Sequence, residues 1–316
     1  MLVSVSPVSP KKKIIYLGAL LIGLILPTGI IYLGDLLDNK VHGKKDIEKL
    51  GLPLLGEIPK NDTGKDIVIG QGERTGIAEA FRLLRTNINF MLDQNKPGGK
   101  LIFVTSTVAK EGKSFNSVNL AHTFALSGKK TVLIGLDLRA PKLMEYMAVN
   151  LSKGVTHYLS DSNLSIENIC HTSPNIENLW LIPSGIIPPN PAELLMRERL
   201  QDLLDQLKER FDYVIVDTAP VGLVTDTLLI APKADLFVYV VRANMLDTRM
   251  LHIPQNLYNE QKLKNMAMLI NGTELGGKGY GYGYGYGYGA YGESYHDEVK
   301  PKTSWEKIVG KFKKSS

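Results

Sequence analysis

Two hydrophobic patterns divide this chain. Residues 14–34 (IIYLGALLIGLILPTGIIYLG) run for 21 positions without a charge. At 1.5 Å per helical residue they span roughly 30 Å, the hydrocarbon thickness of a bilayer. Gly18, Gly23, Pro27 and Gly29 are tolerated in a membrane helix, and Tyr16 and Tyr32 stand near its ends, where aromatic side chains anchor at the interfaces. A cleaved leader fits less well, because the apolar run is too long and no small-x-small site precedes Asp35.

The second pattern starts near Ile77. Ile77, Phe81, Leu84, Ile88 and Met91 recur every three or four residues and predict a helix with one apolar face. Glu79, Arg82 and Arg85 line another face, which on pattern alone is an ordinary solvated one. From Lys100 onward, short apolar runs alternate with helical ones. Residues 101–106, 131–136, 213–217, 236–241 and 266–270 read as strands, and 114–126 and 192–210 as helices. Strands apolar on both faces and separated by helices predict an α/β fold, with a mostly parallel sheet covered by helices on both faces. The expected order is a short Pro-containing segment (1–13), a transmembrane helix (14–34), a linker (35–75), an α/β domain (76–275) and a tail (276–316).

Composition changes this picture little. Apolar residues at 44% and charged residues at 22% are ordinary globular values. The net charge of +5 gathers at the ends, in Lys11 to Lys13 and in Lys307, Lys311, Lys313 and Lys314. That placement favours an anionic membrane surface over a nucleic-acid groove. A single cysteine, Cys170, excludes an internal disulfide and fits a reducing compartment.

The tail carries the most unusual sequence. Residues 279–295 read GYGYGYGYGYGAYGESY and hold seven of the fourteen tyrosines: Tyr280, Tyr282, Tyr284, Tyr286, Tyr288, Tyr291 and Tyr295. Alternating glycine raises the entropy cost of ordering, so the run predicts an unpacked array of phenols. It is either a sticky Gly/aromatic repeat or a substrate for an enzyme that modifies tyrosine. Beyond it, Thr303 and Glu306 form a capping-box pattern, and Trp305, Ile308, Val309 and Phe312 share a helical face flanked by lysines. Such a helix would lie on a membrane or pack on the preceding domain.

Candidate chemistry lies in three places. The strand at 101–106 leads through the loop 107–114 (TVAKEGKS) into a helix, with Gly112, Lys113 and Ser114 at its start. Backbone amides there can bind phosphate, Lys113 can reach the β- and γ-phosphates, and the Ser114 hydroxyl can ligate Mg²⁺. Thr107 stands where the phosphate-loop pattern has its first glycine. Two further strands end in carboxylates, at Asp137 (with Arg139 close behind) and at Asp217. In a parallel sheet all three motifs fall on the carboxyl edge, where ligands bind. Lys110, Glu111, Gly112, Lys113, Ser114, Phe115 and Arg139 are therefore the candidate ATP-binding residues. Lysines flank the apolar helix on both sides, so the charge rule leaves its orientation open. The nucleotide motif assigns the domain to the cytoplasmic side, where ATP is.

Together these residues resemble the bacterial tyrosine kinases that accompany polysaccharide export. The resemblance covers nearly the whole chain: Pro7 and Pro10, the apolar helix, LPLLGEIP at 52–59, the Glu79/Arg82/Arg85 spacing, IPPNPAELL at 187–195, the three nucleotide motifs and the tyrosine tail. It implies a P-loop NTPase fold, unlike that of eukaryotic kinases, using ATP and Mg²⁺. Lys113, Asp137 and Asp217 would be catalytic, and Ser114, Asp137 and Asp217 would hold the metal, with Asp137 contacting it or accepting the tyrosine proton. Glu79, Arg82 and Arg85 would contact neighbouring subunits in a ring-like homo-oligomer, and the seven tail tyrosines would be phosphoacceptors between subunits. The implied setting is the bacterial inner membrane, crossed once, with 1–13 periplasmic and the kinase domain cytoplasmic. The implied partners are the polysaccharide polymerisation and export machinery and a tyrosine phosphatase, with no nucleic acid.

Three positions depart from the family pattern. Ala109 and Lys110 replace Pro-Gly, so Lys110 is expected to be strained by about 1 kcal/mol or more if that glycine needs positive φ. Gly135 replaces the first aspartate of the motif containing Asp137. Ala219 and Pro220 replace Pro-Pro after Asp217. The large periplasmic domain of full-length members is missing before the helix, which implies a fragment or a partner that supplies it. The competing readings are a partition or septum-site type of P-loop ATPase, and a catalytically weakened membrane scaffold for polysaccharide chain-length control.

Overall fold

The computed structural model describes residues 12–174 and 176–274; the tyrosine run and the pattern at 303–312 lie outside them. The apolar run lies in one helix, α1 (Lys12–Leu37), whose stretch Lys13–Gly34 is long and apolar enough to cross a membrane and is unburied by protein. Thr28 Oγ1 donates to Leu24 O at 2.7 Å, which satisfies its hydroxyl within the helix. Residues 38–40 alone separate α1 from Val41, which is fully buried. Val41 N donates to Leu246 O at 2.9 Å, and Asn244 N donates to Val41 O at 2.7 Å. The short α2 (Lys44–Glu48) then seats Ile47 in the core.

Among the described residues eight strands form one sheet: β1 (Leu54–Pro59), β2 (Lys100–Ser106), β3 (Thr131–Gly135), β4 (His171–Thr172), β5 (Leu179–Ile182), β6 (Tyr213–Asp217), β7 (Leu236–Arg242) and β8 (Met266–Thr273). Their order is β1-β8-β7-β2-β6-β3-β5-β4. Only β4 runs antiparallel, against β5; the other pairs are parallel. Successive strand residues face opposite sides. Ile102, Val104, Leu133 and Ile215 pack against α3 (Gly76–Met91), α4 (Lys113–Leu126) and α5 (Leu143–Met147). Phe103, Ile134 and Val216 pack on the other side, against α6 (Val155–Ser160), α7 (Pro191–Leu195), α8 (Glu198–Arg210), α9 (Asp226–Ile230) and α10 (His252–Asn259). Each such side chain contributes about 1.5–3 kcal/mol relative to exposure. Both faces are covered, as the apolar strand pattern predicts.

The structure differs from the pattern in two places. Leu54–Pro59 lies in the stretch read as a linker, yet forms the edge strand beside β8. The single helix expected over 192–210 divides into α7 and α8 at Arg197, whose backbone is extended (φ −66, ψ 138). The cause is tertiary: Arg197 Nη1 donates to Leu159 O at 2.7 Å and Arg199 Nε to Tyr158 O at 2.6 Å. The two arginines thereby satisfy carbonyls of α6.

Candidate active site

Three neighbouring strands, β2, β6 and β3, deliver the candidate residues to one carboxyl edge. After β2 the chain makes a tight loop into α4, whose N-cap Gly112 is left-handed (φ 93, ψ 19). A Cβ at Gly112 would lie 2.1 Å from Asn271 Nδ2, so only glycine fits. Lys110 is also left-handed, at φ 70, the conformation anticipated where the family pattern has glycine.

Lys113 and Ser114, at the start of α4, meet both aspartates. Lys113 Nζ donates to Asp137 Oδ2 at 2.6 Å and lies 3.8 Å from Asp217 Oδ1. Ser114 Oγ donates to Asp217 Oδ2 at 2.6 Å, and Ser117 Oγ to Asp217 Oδ1 at 3.3 Å. The side chains of Lys113, Asp137 and Asp217 are 10%, 4% and 2% exposed. Burial pushes the Asp217 carboxyl above its ordinary range, although Lys113 and Ser114 oppose the shift. Burial disfavours the Lys113 ammonium, but Asp217 and Asp137 more than offset it and raise its pKa. Asp137 is fixed through its backbone as well: its N–H donates to Asp217 O at 3.0 Å, and its Oδ1 accepts the N–H of Ala140 at 3.0 Å.

The other candidates take different positions. Glu111 turns its carboxylate into the loop, where it is fully buried and accepts Val108 N–H at 2.7 Å. Burial pushes it up to about 7 against the pull of its hydrogen bonds. The Phe115 ring packs edge-on against Phe81, with centroids 6.0 Å apart, and so leaves its backbone as the group that can face a phosphate. Arg139 forms a bidentate pair with Asp226, Nε to Oδ2 at 2.7 Å and Nη2 to Oδ1 at 2.9 Å. On α3, Arg82 bonds Glu79, while Arg85 Nη1 reaches Thr123 O at 3.2 Å on α4. The three side chains therefore do not form one free row.

The donor set fits Mg²⁺. A serine hydroxyl and a carboxylate meet at one point and offer hard oxygens. Mg²⁺ is commonly held by one or two carboxylates together with substrate phosphates.

Residues 99–261 match the AAA domain family. Tyrosine-protein kinase CpsD of Streptococcus agalactiae is 34% identical over 207 residues, covering 65% of this chain and 87% of that protein. The chain belongs to the bacterial tyrosine kinase family. Tyrosine-protein kinase ptk of Acinetobacter johnsonii is 29% identical over 289 residues, covering 87% of this chain but 39% of that protein. The kinase domain of the Escherichia coli tyrosine kinase ETK, 26% identical, superposes with a TM-score of 0.65 over 76% of this chain and 98% of that domain. This tyrosine kinase thus spans most of the length of CpsD and about two fifths of ptk.

Four residues around the kinase site escape the motif reading: Ser117, Asp226, Arg242 and Asn271. Ser117 lies one turn after Ser114 on α4, a spacing that could have found it. Arg242 ends β7 and its register partner Asn271 lies near the end of β8, on the same sheet edge as the recognised motifs, which is the available signal for them.

Proposed function

We propose that the chain transfers the γ-phosphoryl group of ATP to tyrosine hydroxyls of residues 280–295 on a neighbouring copy, and so regulates capsular or extracellular polysaccharide synthesis and export. The observation that carries this reading is the junction of Lys113, Ser114, Asp137 and Asp217 beside a phosphate-type loop. Ser114 and Asp217 would hold Mg²⁺, which when bound neutralises charge on the phosphates. Lys113 would also neutralise phosphate charge. In the transfer the phenolic oxygen bonds phosphorus, the bond from phosphorus to the ADP oxygen breaks, and the phenolic proton passes to the Asp137 carboxylate. Tyrosine, with pKa near 10, attacks poorly without such an acceptor.

The tail lies outside the described residues, and its place in this reading rests on sequence. Each phosphate adds about −1.5 to −2 charges, so seven would add roughly −10 to −14. Charge of that size would drive tails apart and loosen a ring assembled through Glu79, Arg82 and Arg85, and a tyrosine phosphatase would reset it. Exposed Leu83 and Phe90 on the same helix support a contact with another copy. The apolar helix supports a single-pass anchor in the inner membrane with the kinase domain on the ATP side. Kinship with tyrosine kinases disfavours the partition-type ATPase and the scaffold.

Mixing a Lys113→Met chain with the parent in Mg-ATP, then mapping phosphosites, tests the proposal. Phosphate on the tail tyrosines of the Lys113→Met copy is expected. A tail labelled only on the parent copy would overturn transfer between subunits, and ATP hydrolysis without any tyrosine label would overturn the kinase reading.

A further inference from the structure

The phosphate loop is gripped from outside by the two strands on the far side of β2. Arg242, ending β7, donates its N–H to Glu111 Oε1 at 3.4 Å and its Nη1 to Lys110 O at 3.0 Å. Asn271, on β8, donates Nδ2 to Glu111 O at 2.9 Å. Glu111 closes the grip by accepting Val108 N–H. Lys110 sits at φ 70, where a side chain is disfavoured, and such strain persists only when the surroundings over-determine it.

The grip has a direction. In a planar trans peptide the C=O and the following N–H point opposite ways. Holding Lys110 O toward β7 therefore turns the Glu111 N–H away from that strand. Holding Glu111 O toward Asn271 turns the Gly112 N–H away from β8. Gly112 lets Asn271 come this close, since a Cβ there would collide with it.

We propose that Arg242 and Asn271 are positioning residues for ATP: by holding the carbonyls of Lys110 and Glu111 they aim the N–H groups of Glu111 and Gly112 at the phosphates. Neither touches the reacting atoms. Arg242 offsets the strain that this chain incurs by carrying lysine at position 110. The proposal rests on the reading of the loop as the ATP site.

The test uses the full chain, with ATP dissociation constants from equilibrium binding, KM and kcat for tyrosine phosphorylation, and urea unfolding. Arg242→Ala is expected to raise the dissociation constant and KM for ATP about ten-fold, the worth of one charge-assisted hydrogen bond, with kcat nearly unchanged. Arg242→Lys retains a donor and should recover part of the loss; Asn271→Ala should repeat it. With Lys110→Gly as background the loop no longer needs forcing, so Arg242→Ala should cost only about two- to three-fold there. Equal losses in both backgrounds would overturn the proposal, as would unchanged ATP affinity accompanied by a lower unfolding midpoint. If Arg242→Ala does not fold, the comparison is made between Arg242→Lys and Asn271→Ala, and unchanged ATP affinity in both overturns it. A parent chain that binds no ATP would overturn the ATP-site reading itself.

Discussion

Lys113 and Asp137 form a buried ion pair, Nζ to Oδ2 at 2.6 Å, and the same ammonium lies 3.8 Å from Asp217. One cation thus holds together two carboxylates brought in by different strands, β3 and β6. Burial alone would drive the Asp217 carboxylate toward the protonated form. The lysine is therefore a structural keystone as well as the expected phosphate contact.

Lys113→Met should accordingly cost stability as well as activity. Removing one partner of a buried pair typically costs about 3–5 kcal/mol, because the remaining charge is uncompensated. The pH dependence fixes the cause. The Asp217 pKa is already raised in the folded chain, and without Lys113 it rises further. The folded state then binds protons that the unfolded state releases, so the variant loses stability relative to the parent as pH rises above the ordinary carboxylate range. Urea unfolding at pH 5 and pH 8 measures this. A deficit that does not grow with pH would show that lost packing, not charge, is responsible.

Glu111 gives a second pH signature. Burial pushes its pKa from 4.5 to about 7. Below pH 4.5 it is neutral in both states and imposes no cost. Between pH 4.5 and 7 the unfolded chain ionises first, and the penalty grows to about 3 kcal/mol, then levels off. Glu111→Gln is neutral throughout and can still accept the Val108 N–H. The stability of the parent minus that of Glu111→Gln should fall by about that amount between pH 4.5 and 8. A flat difference would mean that Glu111 stays ionised at an ordinary pKa.

The parts of this site that were legible in sequence are those written locally. A strand, a loop and a helix start define Lys113 and Ser114, and a carboxylate at the end of an apolar run defines Asp137 and Asp217. The illegible parts depend on approach in space. Asp226 meets Arg139 across 87 residues, and nothing near either position announces the pairing. β1 holds Gly56 and Pro59, which weaken a local strand signal, and it is a strand because β8 offers it an edge. The apolar spacing over 192–210 continues smoothly through Arg197, so the break there is not written locally and goes with the bonds that Arg197 and Arg199 make to α6. On α3 the spacing put Arg85 in line with Arg82, but Thr123 O draws its guanidinium toward α4.

Lys110→Gly is expected to stabilise the chain. A left-handed non-glycine residue costs about 1–2 kcal/mol, whereas glycine adds about 0.4–1 kcal/mol of unfolded-state entropy. The strain is the larger effect, which leaves a net gain near 0.5–1 kcal/mol in urea unfolding. Lys110→Ala separates the contributions, since it loses the lysine side chain but keeps the disfavoured φ of 70. If alanine stabilises as much as glycine does, the gain comes from the side chain and not from the backbone.

Gly135 is enforced by Ser184. A Cβ at position 135 would lie 2.4 Å from Ser184 Oγ and 3.2 Å from Ser184 N, and that hydroxyl is buried with no hydrogen-bond partner among the described residues. The aspartate of the family pattern, placed here alone, would have to displace the Ser184 hydroxyl. Gly135→Ala should destabilise by about 1–3 kcal/mol through overpacking. Ser184→Ala removes an oxygen that bonds nothing and should cost little, and in the double variant it should relieve much of the alanine penalty. The two sites would then show a coupling of about 1 kcal/mol or more, and additive effects would falsify the contact. With that space open, Gly135→Asp combined with Ser184→Ala sets a carboxylate beside Asp217, the register partner of Gly135 on β6. The Mg²⁺ concentration for half-maximal tyrosine phosphorylation should fall in that double variant, and not in Ser184→Ala alone.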